Sequence, residues 1–336
     1  MDKQPGRIVK SAFVTGATGF VGLHLIDSLL NRNVQVRALT RDIARCNQLR
    51  DRGVELVCGD LSEPQVFENC LQGIDTVFHT AAIMGPPTLP WELFRSVNAD
   101  GTRSLMRDAV RAGVARFVHV STVAVTGGSS DGRPVSEDGK LDPRGRYALS
   151  KLEAEQIVKE EGDGRLGWVI ARPTWVYGAR SPSTVKLFGL IAQRRMVLIG
   201  NAANENQPIA VDDLIEALLQ CGTCAGVESR TYHLAGPRPI RTSDMCASIA
   251  RAMGVAAPHI RIPMALARMA AAVCETCLPV SMRKLPIDSQ KLEFFRARHT
   301  YSLERAAAEL DWRPATEFEP GARALAAELA VRSARQ

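Results

Sequence analysis

Thr15-Gly-Ala-Thr-Gly-Phe-Val-Gly22 decides the reading of this chain. It follows the apolar run Ala12-Phe-Val14 and opens a segment, Val21 to Leu30, whose apolar residues recur at helical spacing. Each glycine has its own physical reason between a strand and a helix. Gly16 permits the tight turn, Gly19 lets the backbone approach a pyrophosphate, and Gly22 allows close helix packing. The amides and the positive end of the helix then face the anion. Thr18, Phe20 and Val21 lie in the same turn and are expected to line the dinucleotide with the glycines.

Working outward, short β-branched runs alternate with helical segments. Val34–Leu39, Val54–Val57, Thr76–His79, Phe117–Val120 and Trp168–Ala171 read as further strands, each fenced by Gly, Asp or Pro. Glu63–Leu71, Leu93–Ala112 and Tyr147–Glu161 read as helices between them. Such alternation predicts an α/β fold, a doubly wound parallel (Rossmann) sheet covered on both faces. After Gly178 the pattern loosens, with isolated strands near Val197–Ile199 and Thr231–Leu234. The expected organisation is a dinucleotide-binding domain over 8–178 and a smaller, mainly substrate-binding C-terminal lobe over 179–330, with some segments returning to the sheet. In such sheets the ligand lies beyond the carboxyl ends of the strands.

Composition narrows the classes. With 336 residues, 46% hydrophobic and 23% charged, the chain can bury a sizeable core. A net charge of +6 raises nucleic acid as a partner, but the 42 basic residues are spread along the chain, so none is expected. No apolar run precedes the first strand, which predicts a cytoplasmic protein without a signal peptide. Ile262–Pro279 is the most apolar helical stretch, yet Arg268 and Glu275 interrupt it, so it reads as a buried or pocket-covering helix rather than a spanning one, with peripheral membrane contact as the lesser alternative. The pairs Cys221 with Cys224 and Cys274 with Cys277 have zinc spacing but sit in helical segments without turn residues, where cysteine acts as a small hydrophobe. No metal is expected.

The chemistry is carried by Tyr147-Ala-Leu-Ser-Lys151. Residues four apart share a helix face, so the Lys151 ammonium is expected to draw the Tyr147 phenol pKa down from about 10 toward working pH. Such a phenol exchanges a proton with a substrate oxygen while hydride moves at the neighbouring carbon. At the end of the second strand Arg41, with Arg37 and Arg45 nearby, suits the 2′-phosphate of NADP, while Asp42 keeps NAD open by its reach to a ribose. Asp60, in Cys58-Gly-Asp60-Leu61, either receives the adenine amino group or caps the next helix.

Together these pieces resemble the extended short-chain dehydrogenase/reductase, or NAD-dependent epimerase/dehydratase, family. The resemblance runs from about Phe13 to Trp312 and rests on the glycine turn, Gly59-Asp60-Leu61, His79-Thr-Ala-Ala82, Val97-Asn98, Val120-Ser-Thr122, Tyr147 to Lys151, Arg172-Pro-Thr-Trp-Val-Tyr-Gly178 and Val211-Asp-Asp213. It implies that Asp60 and Leu61 meet adenine, that Ala81, Ala82, Asn98 and Pro173 line the cofactor cleft, and that Lys151 binds the nicotinamide ribose. It also implies that Thr122 and Tyr147 hold the reacting oxygen. Thr122 is preferred to Ser121 because it lies five residues before Gly127; Ser121 stays with the substrate residues. His79 is expected to be a satisfied structural histidine.

The family spans several reactions, so substrate-side residues must choose among them. Trp175 stands where sugar-nucleotide epimerases commonly carry asparagine, and the Arg172–Gly178 segment is closer to the 3β-hydroxysteroid dehydrogenase and dihydroflavonol reductase branch. A tryptophan offers area to a flat, lipophilic small molecule. The expected reaction interconverts a secondary alcohol and a ketone. The alternatives are a sugar-nucleotide epimerase or dehydratase, for which Lys186, Arg194 and Arg195 could hold a diphosphate, and a non-catalytic dinucleotide sensor. The family further implies a homodimer through the helices at 93–112 and 147–161.

Overall fold

The computed structural model describes residues 6–63, 67, 69–86, 88–129, 131–277, 292 and 298–333. Seven strands form the main sheet: β1 (Ser11–Thr15), β2 (Gln35–Thr40), β3 (Glu55–Cys58), β4 (Thr76–His79), β5 (Arg116–Val120), β6 (Gly167–Pro173) and, much later, β11 (Arg230–Leu234). Their order is β11-β6-β5-β4-β1-β2-β3, and every pairing is parallel. β1 lies inside the sheet with Ala12, Phe13 and Val14 at 0% exposure, which is why it reads as a continuous apolar run rather than an alternating one. The chain order reverses between β1 and β4, and the cleft above that point is where a dinucleotide lies in folds of this kind.

Helices cover both faces. One core layer joins the sheet to α1 (Phe20–Asn31) and α7 (Val211–Thr223) through Leu25, Ile26, Leu29, Leu214 and Leu218. The other joins it to α4 (Gly101–Arg111) and α5 (Gly145–Gly162) through Leu105, Met106, Ala109 and Val158. The helix expected over 93–112 is built in three parts: α3 (Trp91–Arg95), a π-turn over Ser96–Asp100, and α4. The widened turn buries Asn98 and seats Gly101 so close to Leu61 that a Cβ there would lie 2.8 Å from the Leu61 carbonyl oxygen. Over its described part the segment Glu63–Leu71 is not the expected continuous helix, because Asn69 takes φ 64 and residues 69–73 turn. A four-residue helix, α2 (Asn47–Arg50), precedes β3.

Beyond the sheet, three small pairs carry the remaining segments: β7 (Val176–Tyr177) with β10 (Ile209–Ala210), β8 (Leu198–Ile199) with β13 (Arg261–Ile262), and β9 (Glu205–Asn206) with β12 (Ile240–Arg241). α6 (Pro182–Ala192), α8 (Thr242–Ala252) and the helix Phe318–Ser333 pack there around Tyr177, Phe188, Ile249 and Phe318. Two expectations are corrected. Thr231–Leu234 is not isolated but becomes the edge strand β11, with Tyr232 and His233 fully buried beside β6. The apolar helix α9 (Met264–Cys277) is not buried: over 264–273 only Ala267 and Ala271 are. Among the described residues no helix is long and apolar enough to cross a membrane.

Candidate active site

The glycine turn forms a cradle that side chains would fill. Gly16 takes φ +71, and a Cβ there would lie 2.7 Å from Thr80 Oγ1 and 2.8 Å from the Ala81 amide. A Cβ on Gly22 would drive into the Gly16 carbonyl oxygen. Gly19 is the N-cap of α1, and no side chain caps the helix, so its first-turn amides remain for an anion. Thr80 Oγ1 donates to the Thr15 carbonyl (2.7 Å) and the Ala81 amide donates to Thr15 Oγ1 (3.3 Å), which binds the segment after β4 to the turn. Thr18 is exposed at the turn, Phe20 and Val21 are half-buried, and Ala81 and Ala82 follow β4 at the same end of the sheet. Pro173 closes β6 at that end as well. These features fit a dinucleotide pyrophosphate.

At the adenosine end, Arg41 is 83% exposed and its Nη1 lies 3.9 Å from Asp60 Oδ2. Asp60 Oδ1 accepts from the Ser62 amide (2.9 Å) and hydroxyl (2.7 Å), and the amide bond is the main reason its carboxyl lies below the usual range. Asp42 accepts from the Ala44 amide (3.0 Å) and pairs with Arg45 (3.1 Å), so neither belongs to an open ring of phosphate ligands. Arg37, grouped with Arg41 on sequence, is turned away: it pairs with Glu55 (2.8 Å) and donates to the Cys70 carbonyl (2.6 Å). Arg37 lies within β2, whereas Arg41 follows the end of the strand, so the two guanidiniums start from different levels of the sheet. Leu61 is buried against Gly101.

Tyr147 and Lys151 lie one turn apart on α5, as expected. Lys151 is 1% exposed, and its ammonium donates to His119 Nε2 at 3.2 Å, the ring that β5 presents. Burial pulls the lysine pKa down to about 7 and pushes the half-buried Tyr147 phenol up to about 12. The expected depression of the phenol is therefore not met in the free chain: loss of solvent outweighs the cation, whose hydrogen bond goes to His119. Thr122 caps the 3₁₀ turn Val123–Thr126, which packs on α5, its Oγ1 accepting from the Ala124 amide at 3.2 Å. That bond leaves the hydroxyl proton of Thr122 for a substrate oxygen. Ser121 is different. It is buried and donates to Glu155 (2.5 Å), which commits its proton within the protein.

A buried polar layer supports these groups. Thr102 Oγ1 has one proton and gives it to the Asn98 carbonyl (2.6 Å), so it must accept from His79 Nε2 (2.9 Å). His79 Nδ1 then accepts from Thr15 (2.7 Å), which fixes a neutral imidazole, with burial holding its pKa at about 3. His119 stands 5.2 Å from it, ring to ring, and is held neutral mainly by burial. Because His119 Nε2 accepts from Lys151, its proton is on Nδ1, a buried atom without a partner among the described residues. Asn98, expected in the cofactor cleft, instead spends its amide internally, accepting from the Ile83 amide (2.8 Å) and donating to the Ile83 carbonyl (3.1 Å) and Ser150 Oγ (2.9 Å). It ties the segment after β4 to α5. Below, Glu155 takes both arms of Arg172 (2.9 and 2.7 Å), and both side chains are at most 2% exposed.

His119, Ser150, Glu155 and Arg172 were not singled out on sequence. Glu155 had a signal, since it continues the i, i+4 row from Tyr147 and Lys151 on the buried face of α5. Trp175 is half-buried and its Nε1 donates to Ser183 (3.2 Å), with its ring 6.2 Å from Tyr177. Cys221 is buried and its thiol is pushed up by burial, while Cys224 donates to Gln220 Oε1 (3.1 Å). The side chains of Cys274 and Cys277 lie outside the described residues. Among the described residues no three His, Cys, Asp or Glu side chains gather as a metal site.

The sequence profile of the NAD dependent epimerase/dehydratase family matches residues 12–236. The chain belongs to that family. It is thus an enzyme of the extended short-chain dehydrogenase/reductase group, which comprises nicotinamide-dependent dehydrogenases, reductases, epimerases and dehydratases. The chain is 28% identical over 95% of its length to a 2-alkyl-3-oxoalkanoate reductase of Stenotrophomonas maltophilia, covering 99% of that protein. It is also 28% identical over 77% of its length to a UDP-glucose 4-epimerase of Vibrio cholerae, covering 80% of it. The structure of MoeE5 in complex with UDP-glucose and NAD superposes with a TM-score of 0.77 at 24% identity, over 96% of this chain and 99% of that one.

Proposed function

We propose that this enzyme interconverts a secondary alcohol and a ketone on a lipophilic small molecule with net transfer of hydride to or from NADP, NAD being the weaker cofactor. The observation that carries the reading is the placement of Tyr147, Lys151 and Thr122 at the cofactor end of the sheet with the Thr122 proton uncommitted. Gly16, Gly19 and Gly22 would hold the pyrophosphate of a nicotinamide dinucleotide, whose ring would supply or accept the hydride. Tyr147 then gives a proton to, or takes one from, the substrate oxygen, and Thr122 donates to the same oxygen. Lys151, one turn from the phenol, favours the phenolate when it is protonated and orients the nicotinamide ribose. Arg41, exposed and held only loosely by Asp60, is available to a 2′-phosphate, whereas Asp42 is already engaged. Asp60 and Leu61 serve adenine, and Ala81, Ala82 and Pro173 serve the cleft wall.

Support for the lipophilic substrate comes from Trp175, from the reductase relative and from the lack of an asparagine at that place. Residues 8–178 supply the cofactor half and 179–330 mainly the substrate half, with β11 returned to the sheet. A cytoplasmic homodimer through the helical segments at 93–112 and 147–161 completes the proposal; Leu93 on α3 and Leu149 on α5 are 38% and 45% exposed. The test is the absorbance of reduced nicotinamide when purified protein meets NADP or NAD with lipophilic secondary alcohols and with sugar nucleotides. Reduced cofactor should accumulate with a lipophilic alcohol, faster with NADP, and Arg41→Ala should erase the NADP preference. A sugar nucleotide that changes stereochemistry or loses water without net reduction would replace this reading with the epimerase or dehydratase one.

A further inference from the structure

α9 is amphipathic in the wrong sense for a helix resting on a core. It is seated by Ala267 and Ala271, with half-buried Met264 beside them, all within one narrow sector of the helix. At 100° per residue Leu266, Met269 and Val273 fall on the opposite sector, and they are 51%, 59% and 54% exposed. Ile260 (52%) and Ile262 (38%), just before the helix, are exposed as well. A water-soluble surface helix carries polar residues on its outer face, and isolated exposed apolar residues are ordinary, but five in one short segment are not. Chance composition does not explain the flanks either. Between 182 and 203, and again between 255 and 273, the chain has no Asp or Glu, and these two segments are joined by the pairing of β8 with β13. They carry Arg194, Arg195, Arg261 and Arg268, all exposed and none in an ion pair with a described residue.

We propose that the outer face of α9, with the strand Arg261–Ile262 that leads into it, docks on an anionic phospholipid bilayer. An apolar stripe flanked by cations, with no carboxylate between 255 and 273, is the chemistry that lies in a bilayer interface: the apolar residues enter the acyl boundary and the arginines stay among the headgroup phosphates. Charge complementarity selects the lipid surface over a second copy of this chain, since two such faces would set arginine against arginine. The contact is interfacial, consistent with a helix that cannot span. It does not depend on the dehydrogenase reading, and its test is independent of turnover.

The test is co-flotation of the full chain with vesicles of phosphatidylcholine alone or mixed with phosphatidylglycerol. The protein should float with the anionic vesicles, less with the neutral ones, and be released by salt. Each arginine near an anionic surface strengthens partition by about fivefold, so Arg261→Gln with Arg268→Gln should weaken binding about 25-fold. Leu266→Glu with Met269→Glu should abolish it while leaving thermal unfolding and nicotinamide binding unchanged, because both side chains are exposed. Wild-type protein that stays in solution with both vesicle types, or a charged double variant that floats as well as the wild type, overturns the proposal. So does self-association, seen by light scattering, that the double variant dissolves without any vesicle binding.

Discussion

Replacing His119 gives the sharpest internal check on how the site sets its charges. The ring is the hydrogen-bond acceptor of Lys151, at 3.2 Å and fully buried. The other ionisable groups around the ammonium are Tyr147 and Glu155 on its own helix, His79 on β4, and Arg172 on β6, whose charge is taken by Glu155. A hydrogen bond to a charged group contributes about 1.5–3 kcal/mol, or about one to two pKa units. His119→Phe removes the acceptor but keeps a flat ring, so Lys151 should fall from about 7 to about 5–6. His119→Gln returns an acceptor atom at similar reach and should recover most of the shift. The sign of the stability change follows. Above pH 7 the amine is neutral in both proteins and they should be equally stable; as pH falls through 7 only the wild type gains from charging, so the variant falls behind by up to about 1.5–3 kcal/mol. Carbon-13 NMR of labelled lysine in cofactor-free protein, with urea unfolding across the same pH range, reads both effects. Phe and Gln variants with the same lysine titration as the wild type would refute the reasoning.

Three further outcomes follow from the geometry. Glu155→Gln leaves Arg172 buried without its counter-charge and should cost about 3–5 kcal/mol in urea unfolding; a loss below about 1 kcal/mol would show that the pair is dispensable. Gly22→Ala pushes a methyl into the Gly16 carbonyl oxygen and should abolish nicotinamide binding, measured by fluorescence titration, because the turn must open to admit it. His79 is held near 3 against 6.5 when unfolded, so the unfolded chain binds the extra proton and stability should decline as pH drops from 6.5 toward 3, by up to about 4–5 kcal/mol; His79→Asn should flatten that slope in acid unfolding.

Much of the fold was legible because its strands are buried on both faces and its helices have apolar spacing: five of the first six strands were placed within a residue or so at each end, and β4 at its full length. β11 was misplaced as an isolated strand since partnership with β6, some sixty residues earlier, leaves no local trace. The π-turn at Ser96–Asp100 was invisible for a similar reason, being set by what Asn98 and Gly101 touch rather than by helix propensity. In the site, backbone requirements were readable and side-chain partners were not. Gly16 and Gly22 announce themselves because only glycine fits. His119 does not, because a histidine in a buried strand looks the same whether its ring meets an ammonium or a backbone carbonyl. The Lys151 charge was expected beside the phenol, and burial redirected it. Ser121 and Thr122 are adjacent hydroxyls on sequence, and just past the end of β5 one donates to Glu155 while the other caps the 3₁₀ turn through the Ala124 amide.

The most direct test of the central claim is single-turnover hydride transfer by Tyr147→Phe beside the wild type, with cofactor affinity measured on the same samples. The variant should bind NADP as the wild type does and lose at least about 100-fold in the rate of nicotinamide reduction by a lipophilic secondary alcohol, as removal of a general acid/base requires. Near-wild-type hydride transfer by the phenylalanine variant would contradict the account.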